Sequence, residues 1–227
     1  MRRLLDILVA ILALIALSPF FALIGLAIKL EDGGPVFYSQ TRLGRGFRKF
    51  RLYKFRSMTT DADRLGPPLT APSDPRITRV GRFLRRSKLD ELPQLVNLLR
   101  GDMRLVGARP ELERYVEMFR PEYTLLLQDR PGITDPASLA YRHEHLVLGA
   151  DGVEKRYVTE ILPHKLSLSL DYAGERNFLS DLGIVVRTLL GLPWTPHPSE
   201  RSQSAGSPDT LPAAPAKSPN ISTKIPS

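Results

Sequence analysis

Cysteine is absent from the 227 residues of this chain. That absence excludes disulfide bonds, thiolate metal sites and cysteine nucleophiles, and it agrees with a cytosolic setting. Internal repeats are also absent, and no glycine-rich loop of the kind that cradles nucleotide phosphates is found. The chemistry of the chain must therefore be sought among other residue types.

Acidic residues are fewer than basic ones. The chain has 24 Asp and Glu against 32 Lys and Arg, which gives a net charge of +8. Such a balance favours anionic partners, namely phospholipid headgroups, nucleotides or nucleic acid. Nucleic acid is the weakest of these because no recognisable binding module is present and the cations flank an apolar segment. We therefore expect no nucleic acid partner, and we assign the cations to membrane phospholipid and a phosphorylated substrate.

Charged residues are missing from the apolar run at positions 7–28. A straight helix needs about 20 apolar residues to cross a bilayer, and this run is long enough. Ser18 and Pro19 lie at its middle, however, and a proline inside a helix costs roughly 3 kcal/mol because a backbone donor is lost. Ser18 can cap part of the exposed backbone. The sequence therefore predicts a helix-break-helix at Ser18 and Pro19.

Both flanks of the apolar run are basic. Arg2 and Arg3 precede it, and eight Lys or Arg residues against two acidic residues follow it up to Thr60. Positive charge beside a membrane segment is retained on the cytoplasmic side. A re-entrant hairpin that enters and leaves the same face satisfies both flanks, and a plain signal anchor is the alternative. A cleaved signal peptide fits less well because no small-residue cleavage site follows.

Turn residues and apolar spacing predict a small hairpin followed by helices. Residues 36–55 are predicted to form a β-hairpin that turns near Gly44 and Gly46, and residues 60–75 a proline-rich loop. Helical spacing predicts helices over 77–86 and 89–99, the second beginning near Asp90 with Pro93 in its first turn. A further helix over 111–128 is interrupted around Pro121, and residues 131–144 are predicted to be irregular.

The C-terminal part of the chain divides into an apolar helix and a polar tail. Apolar residues recur at three- and four-residue steps between Phe178 and Leu190, as in a helix that faces the core or lies in the membrane interface. From Thr195 onward, proline, serine and alanine dominate, as in a disordered tail. We predict an α+β, mostly helical fold with a re-entrant membrane hairpin (1–30), a cytosolic membrane-associated catalytic domain (31–194) and a disordered tail (195–227).

Asp90 and Glu91 are the strongest candidates for catalysis. Adjacent carboxylates at a helix start point in different directions, so one can face a ligand or metal while the other supports it or moves a proton. Nearby cations should keep both ionised, as a nucleophile or magnesium ligand requires. The structural alternative is that acidic residues complement the dipole of a helix N-terminus. His143 and His145 lack a completing metal set and are interpreted as surface or loop residues.

Several short motifs occur in a fixed order along the chain. They are DGGPVFY (32–38), QTRLG (40–44), YKFRSM (53–58), DPRIT (74–78), LDELPQ (89–94), RPE (109–111) and PGIT (131–134). With the arginine-led apolar segment, they resemble the bacterial sugar transferase family, the monotopic polyprenyl-phosphate phosphoglycosyl transferases that begin lipid-linked glycan assembly. The resemblance covers roughly residues 2–192.

The resemblance implies a phosphotransferase that moves a sugar 1-phosphate from a UDP-sugar to undecaprenyl phosphate and releases UMP. Asp90 would be the nucleophile that forms a covalent phosphosugar intermediate and would also bind Mg²⁺. Glu91 would assist as a base or by holding Asp90 and the metal. Lys54, Arg85 and Arg109 fall at positions suited to phosphate contact.

The resemblance also places the chain in the cell and identifies its departures from the family. Ser18 and Pro19 match the break of the family's re-entrant helix, which lies on the cytoplasmic face of the bacterial inner membrane. The products would serve exopolysaccharide, capsule, O-antigen lipopolysaccharide or glycoprotein glycan assembly. Lys88 stands where a small hydroxyl residue is commoner, and Ala108 stands where a first proline is usual. The sugar and the oligomeric state are left open.

Two other functions are compatible with the sequence. One is direct transfer through a ternary complex, without a covalent adduct. The other is a membrane-anchored basic scaffold that binds anionic lipid or acidic partners without catalysis. The scaffold accounts for the charge and the anchor, but it gives no reason for an Asp-Glu pair among arginines.

Overall fold

The apolar run forms α1 (Arg2–Asp32), a single helix of 31 residues, in a computed structural model that describes residues 2–66, 74–142 and 153–194. The helix continues through Ser18 and Pro19, so the predicted separation into two helices is not confirmed. Pro19 has no N–H to donate to the carbonyl of Ile15, but the Ser18 hydroxyl donates to that carbonyl at 2.8 Å. Ser18 thereby replaces the bond that Pro19 cannot make, and the helix is maintained.

One face of α1 packs against the rest of the protein from its first turn to its last. Near its start, Arg3 donates to backbone carbonyls at the end of a later helix, and Ala10 is fully buried. Near its end, Ile28 is buried with Phe55 and Leu84. The opposite face exposes ten large apolar side chains, which are Leu4, Leu5, Leu8, Ile11, Leu12, Ile15, Phe20, Leu23, Leu26 and Leu30. By length and composition, α1 could cross a membrane.

The predicted β-hairpin is confirmed. Strands β1 (Phe37–Leu43) and β2 (Lys49–Phe55) pair antiparallel with Phe37 opposite Phe55, and a short 3₁₀ turn joins them. Gly46 in that turn has a φ of 63°, a left-handed conformation that glycine adopts without steric cost. The hairpin brings the end of β2 next to the segment that holds Asp90 and Glu91.

The two helices predicted around the Asp-Glu pair are present, with a different junction. Helix α2 (Ala62–Leu65) lies within the predicted loop, and α3 (Arg79–Ser87) matches its prediction. A 3₁₀ turn (Leu89–Glu91) then precedes α4 (Gln94–Arg100). Asp90 and Glu91 therefore lie in this turn, because Pro93 is the N-cap of α4 and delays the start of the α-helix.

The prediction of irregular structure over residues 131–144 is wrong where the chain is described. Strand β3 (Arg104–Val106) pairs in parallel with β4 (Gly132–Thr134), and α7 (Pro136–Ala140) follows, capped by the Asp135 side chain. These elements are too short to show a period. The interruption predicted near Pro121 is confirmed, because α5 (Glu113–Met118) and α6 (Arg120–Leu126) meet at the non-helical Phe119.

The C-terminal helices complete the described fold. They begin with α8 (Val153–Arg156), which continues through a π-helical turn (Tyr157–Ile161) into α9 (Leu162–Glu175). The last described helix is α10 (Phe178–Leu190). Ile184 of α10 is buried with Val106 and Leu139, so the core interpretation holds for one face. The other face exposes Phe178, Leu179, Leu182, Val186, Leu189 and Leu190. His143, His145 and the predicted tail lie outside the described residues.

A buried ion pair joins the hairpin to the C-terminal helices. Glu111 pairs with Arg42 at 2.5 Å and accepts a hydrogen bond from the Tyr157 hydroxyl at 2.8 Å. Burial by itself would raise the pKa of Glu111, but the charges of Arg42 and Lys165 outweigh it and lower the pKa to about 2. A carboxyl whose pKa is lowered by folding stabilises the folded state above its ordinary pKa.

Replacing Glu111 with glutamine is expected to weaken the fold at neutral pH and to flatten its acid response. The wild-type contribution is complete above a pH of about 4.5 and is lost as the pH falls toward about 2, on the order of 3 kcal/mol in total. Thermal unfolding of both proteins in detergent, followed from pH 7 to pH 2, measures the difference. Glu117→Gln, which removes an exposed pair with Arg120, is the control. Parallel pH profiles for wild type and Glu111→Gln would contradict the prediction.

Candidate active site

The segment that carries Asp90 and Glu91 is fixed to β2 from both sides. Gly81 of α3 lies so close to the chain after β2 that an added Cβ would be 2.0 Å from the carbonyl oxygen of Ser57. In α4, the Asn97 amide donates to the Arg51 carbonyl at 2.7 Å and accepts from the Tyr53 N–H at 3.0 Å. The 3₁₀ turn between α3 and α4 is therefore held rigidly against the strand.

Asp90 is a buried carboxylate that the protein leaves partly unsatisfied. The residue is 6% exposed, and its Oδ1 has no hydrogen-bond partner within the described part of the chain. Burial raises the pKa of Asp90, and the positive charge of Lys54 acts in the opposite direction. The sequence predicted that cations would keep this carboxylate ionised. In the structure the cations do favour the ionised form, but burial of the carboxyl opposes them and favours the neutral form.

Glu91 has the opposite environment. Arg109 donates to both of its carboxylate oxygens, to Oε2 at 2.9 Å and to Oε1, and the Lys54 ammonium donates to Oε1 at 3.3 Å. Burial alone would raise the pKa of Glu91, but Arg109 and Lys54 hold it well below its ordinary value. Two adjacent carboxyls with pKa values displaced in opposite directions are suited to different tasks.

Arg85 completes the group of predicted residues. Its Nε donates to the Ser57 hydroxyl at 2.8 Å, and the charge of Asp90 is the largest favourable influence on the guanidinium. Burial lowers the pKa of Arg85, yet a guanidinium remains charged in proteins. The structure thus brings together Asp90, Glu91, Lys54, Arg85 and Arg109, whereas Ser18 and Pro19 belong to the middle of α1.

Gln94 was not singled out by the sequence as a site residue. It is fully buried, and neither atom of its side-chain amide has a hydrogen-bond partner in the described part of the chain. It follows Asp90 by four residues, at the start of α4 just after the 3₁₀ turn. That spacing was readable in the sequence, but the burial was not.

The donor set around Asp90 fits a magnesium ion that is shared with a substrate. Mg²⁺ is commonly bound through one or two carboxylates together with substrate phosphates and water. The unsatisfied Oδ1 of Asp90 is such an oxygen, whereas the Glu91 carboxylate is already occupied by Arg109 and Lys54. The described residues contain no group of three or more His, Asp or Glu side chains that could hold a metal alone.

The site and its surroundings indicate a class of protein. Cations converge on a buried carboxylate, as expected for a site that handles phosphate-bearing ligands. The helix α1, whose apolar face is exposed, packs against α3 and α4, which flank the turn that carries the carboxylate. A membrane-associated enzyme that acts on phosphorylated compounds accounts for both features.

Comparison with known proteins agrees with this class. The sequence model of the bacterial sugar transferase family matches residues 1–193. A UDP-glucose:undecaprenyl-phosphate glucose-1-phosphate transferase of Caulobacter vibrioides is 38% identical over 196 residues, which is 84% of this chain and 69% of the relative. The exopolysaccharide production protein ExoY of Sinorhizobium fredii is 34% identical over 203 residues, covering 83% of each chain. This chain belongs to the bacterial sugar transferase family and is a phosphotransferase.

One longer relative is named for a different sugar. A UDP-N-acetylgalactosamine-undecaprenyl-phosphate N-acetylgalactosaminephosphotransferase of Aeromonas hydrophila is 41% identical over 143 residues, which is 62% of this chain. The matched part spans only 34% of that relative's length.

Proposed function

We propose that this protein transfers a sugar 1-phosphate from a UDP-sugar to undecaprenyl phosphate, the first step of exopolysaccharide or related glycan assembly. The names of the Caulobacter and Aeromonas relatives supply the substrate classes. The observation that supports the chemistry is the buried Asp90, whose Oδ1 is unpartnered while its cationic neighbours surround it. That arrangement suits a nucleophile aimed at a phosphate.

The proposed reaction has two displacements at phosphorus. An Asp90 carboxylate oxygen attacks the sugar-proximal phosphorus of the UDP-sugar, the bond to the bridging oxygen breaks, and UMP leaves with that electron pair. A phosphate oxygen of undecaprenyl phosphate then attacks the same phosphorus, the bond to Asp90 breaks, and the carboxylate is restored. Mg²⁺ bound at Asp90 would offset the negative charge of the phosphates.

The other residues are assigned to positioning and charge. Lys54 and Arg109 would contact phosphate oxygens from the positions in which Glu91 holds them. Because Glu91 is ionised and occupied on both oxygens, its proposed task is to organise these cations, and proton transfer is not required of it. Arg85, fixed by Ser57, would face the phosphates from the side of α3.

We further propose that α1 enters and leaves the membrane on the cytoplasmic face of the bacterial inner membrane. Arg3 at one end of α1 donates to the Leu99 carbonyl at 2.7 Å, and Glu31 at the other end accepts from the Arg79 N–H at 2.6 Å. Both ends therefore contact one domain. A helix that spanned the hydrocarbon core, about 30 Å thick, would separate them. The exposed apolar faces of α1 and α10 would rest in the lipid.

This topology predicts that tags at residue 1 and at residue 227 both report the cytosol. A fluorescent protein that matures only in the cytosol, paired with an alkaline phosphatase that is active only in the periplasm, would be fused to each end in turn. Pro19→Ala is expected to shift some molecules toward a spanning helix because the steric clash of the proline ring with the preceding turn is removed. A periplasmic amino terminus in the wild type would exclude the re-entrant arrangement.

Turnover of a panel of UDP-sugars tests the function. Purified protein in detergent would be given UDP-glucose, UDP-galactose and UDP-N-acetylated sugars with Mg²⁺, and released UMP would be measured with and without undecaprenyl phosphate. Stoichiometric UMP without acceptor, matched by labelled protein, supports the covalent route. Release only with acceptor would favour a ternary complex. No turnover of any donor, with salt-sensitive vesicle binding intact, would favour the scaffold.

A further inference from the structure

Lys88 terminates α3 in a conformation that a lysine rarely adopts. Its φ is 60° and its ψ is 14°, which is the left-handed region, and its N–H donates to the Arg85 carbonyl at the helix end. Glycine is the usual residue at such a helix terminus because a Cβ there is sterically unfavourable. The fold would therefore accept glycine at this position at least as well as lysine.

Lys88 adjoins the Asp-Glu pair, because it is the N-cap of the 3₁₀ turn that holds both carboxylates. The charged groups that act on it most strongly are Glu91, Arg109, Asp90 and Lys54, from the 3₁₀ turn, the segment before α5 and β2. The residue as a whole is exposed, although the surrounding protein desolvates its ammonium and lowers the pKa of Lys88. Lys88 therefore lies where the buried pair meets solvent.

The cations beside Lys88 are engaged with protein groups. Lys54 and Arg109 bind the Glu91 carboxylate, and Arg85 binds Ser57. The side chain of Lys88, in contrast, makes no hydrogen bond or ion pair with any residue that the structure describes. A compact ammonium with three donors on a flexible chain can follow a phosphate as it arrives.

We propose that Lys88 binds a phosphate oxygen of an incoming substrate at the exposed rim of the Asp90 site. The assignment rests on the proposed function, since it supposes that phosphates reach Asp90. The phosphate belongs either to the UDP-sugar or to undecaprenyl phosphate, and the two have the same chemistry at this contact. Binding of a phosphate gives a functional reason for a lysine at a backbone position where glycine is sterically preferred.

Lys88→Gly separates the two roles of this residue. If Lys88 binds phosphate, the glycine variant unfolds at an equal or higher temperature than the wild type, yet its KM for one substrate rises about tenfold, as expected for one lost charge-assisted hydrogen bond. Its kcat changes much less. Lys88→Arg, which keeps the charge, is expected to stay within about threefold of the wild type. Lys88→Asn, which also tolerates the left-handed region, is the second uncharged variant should the glycine variant fold poorly.

Two assays identify the source of the phosphate. Transfer at saturating undecaprenyl phosphate with varied UDP-sugar gives the KM for the donor, and transfer at saturating donor with varied undecaprenyl phosphate gives the KM for the acceptor. Arg82→Gln, which removes an exposed cation from α3 that is not among the main charges on Asp90 or Glu91, corrects for loss of net charge. Unchanged KM values in both assays would overturn the proposal and leave Lys88 as a helix terminator. Absence of UMP release by the wild type would instead overturn the proposed function, and the inference with it.

Discussion

Asp90→Asn is expected to lower transfer by at least about 10³-fold and to abolish the covalent phosphosugar adduct. The amide has nearly the volume of the carboxyl, so packing in the 3₁₀ turn is retained, but it cannot displace UMP. Because burial raises the pKa of Asp90, the folded state bears a desolvation cost for the ionised carboxylate. The neutral variant should therefore unfold at a temperature no lower than that of the wild type.

The measurement combines intact-protein mass spectrometry with UMP release after mixing with a UDP-sugar and no acceptor. Wild type should gain the mass of one sugar phosphate, and Asp90→Asn should gain none. Asp171→Asn on α9 is the matched control, since it makes the same substitution at an exposed residue without a hydrogen bond or ion pair in the described structure. An adduct of wild-type stoichiometry on Asp90→Asn would place the nucleophile elsewhere.

The parts of the fold that the sequence predicted are those with a long local signal. The apolar run, the hairpin around Gly46 and the periodic stripe from Phe178 to Leu190 each have a signal that extends over many residues. Strands β3 and β4 have three residues each and depend on a close approach of Gly107 and Gly132, where an added Cβ on Gly132 would be 2.1 Å from the Gly107 nitrogen. Nothing local distinguishes such a pair from a loop.

The proximity of the candidate residues was predictable, and their electrostatic environment was not. The order of the motifs predicted that Asp90, Glu91, Lys54 and Arg109 lie close together. The fold confirms that they are neighbours. Asp90 is the carboxylate that is buried with an unpartnered oxygen, and Glu91 is the one bound by two cations. This difference depends on the packing of α3 and β2, which the sequence does not show. The same limit applies to Gln94, whose burial arises from contacts distant in sequence.

The second large effect is expected for Glu91→Gln, with a loss in kcat of about 10²–10³-fold. Removing one partner of a buried ion pair leaves the other charge uncompensated, which typically lowers the stability of the folded state by about 3–5 kcal/mol. Arg109 and Lys54 would lose the carboxylate that aligns them, so both the formation and the discharge of the adduct should slow. Wild-type turnover in this variant would contradict the role assigned to Glu91.

A double-mutant cycle distinguishes an organising glutamate from an independent base. If Glu91 acts by aligning Arg109, the loss of rate in the double variant should be smaller than the product of the losses in Glu91→Gln and Arg109→Gln, because each single change already disrupts the same arrangement. If Glu91 transfers a proton and Arg109 separately binds phosphate, the two losses should multiply, and only the half-reaction that needs the proton should respond to Glu91→Gln. The depressed pKa of Glu91 favours the first outcome, because a carboxylate so strongly stabilised in its ionised form is a weak base.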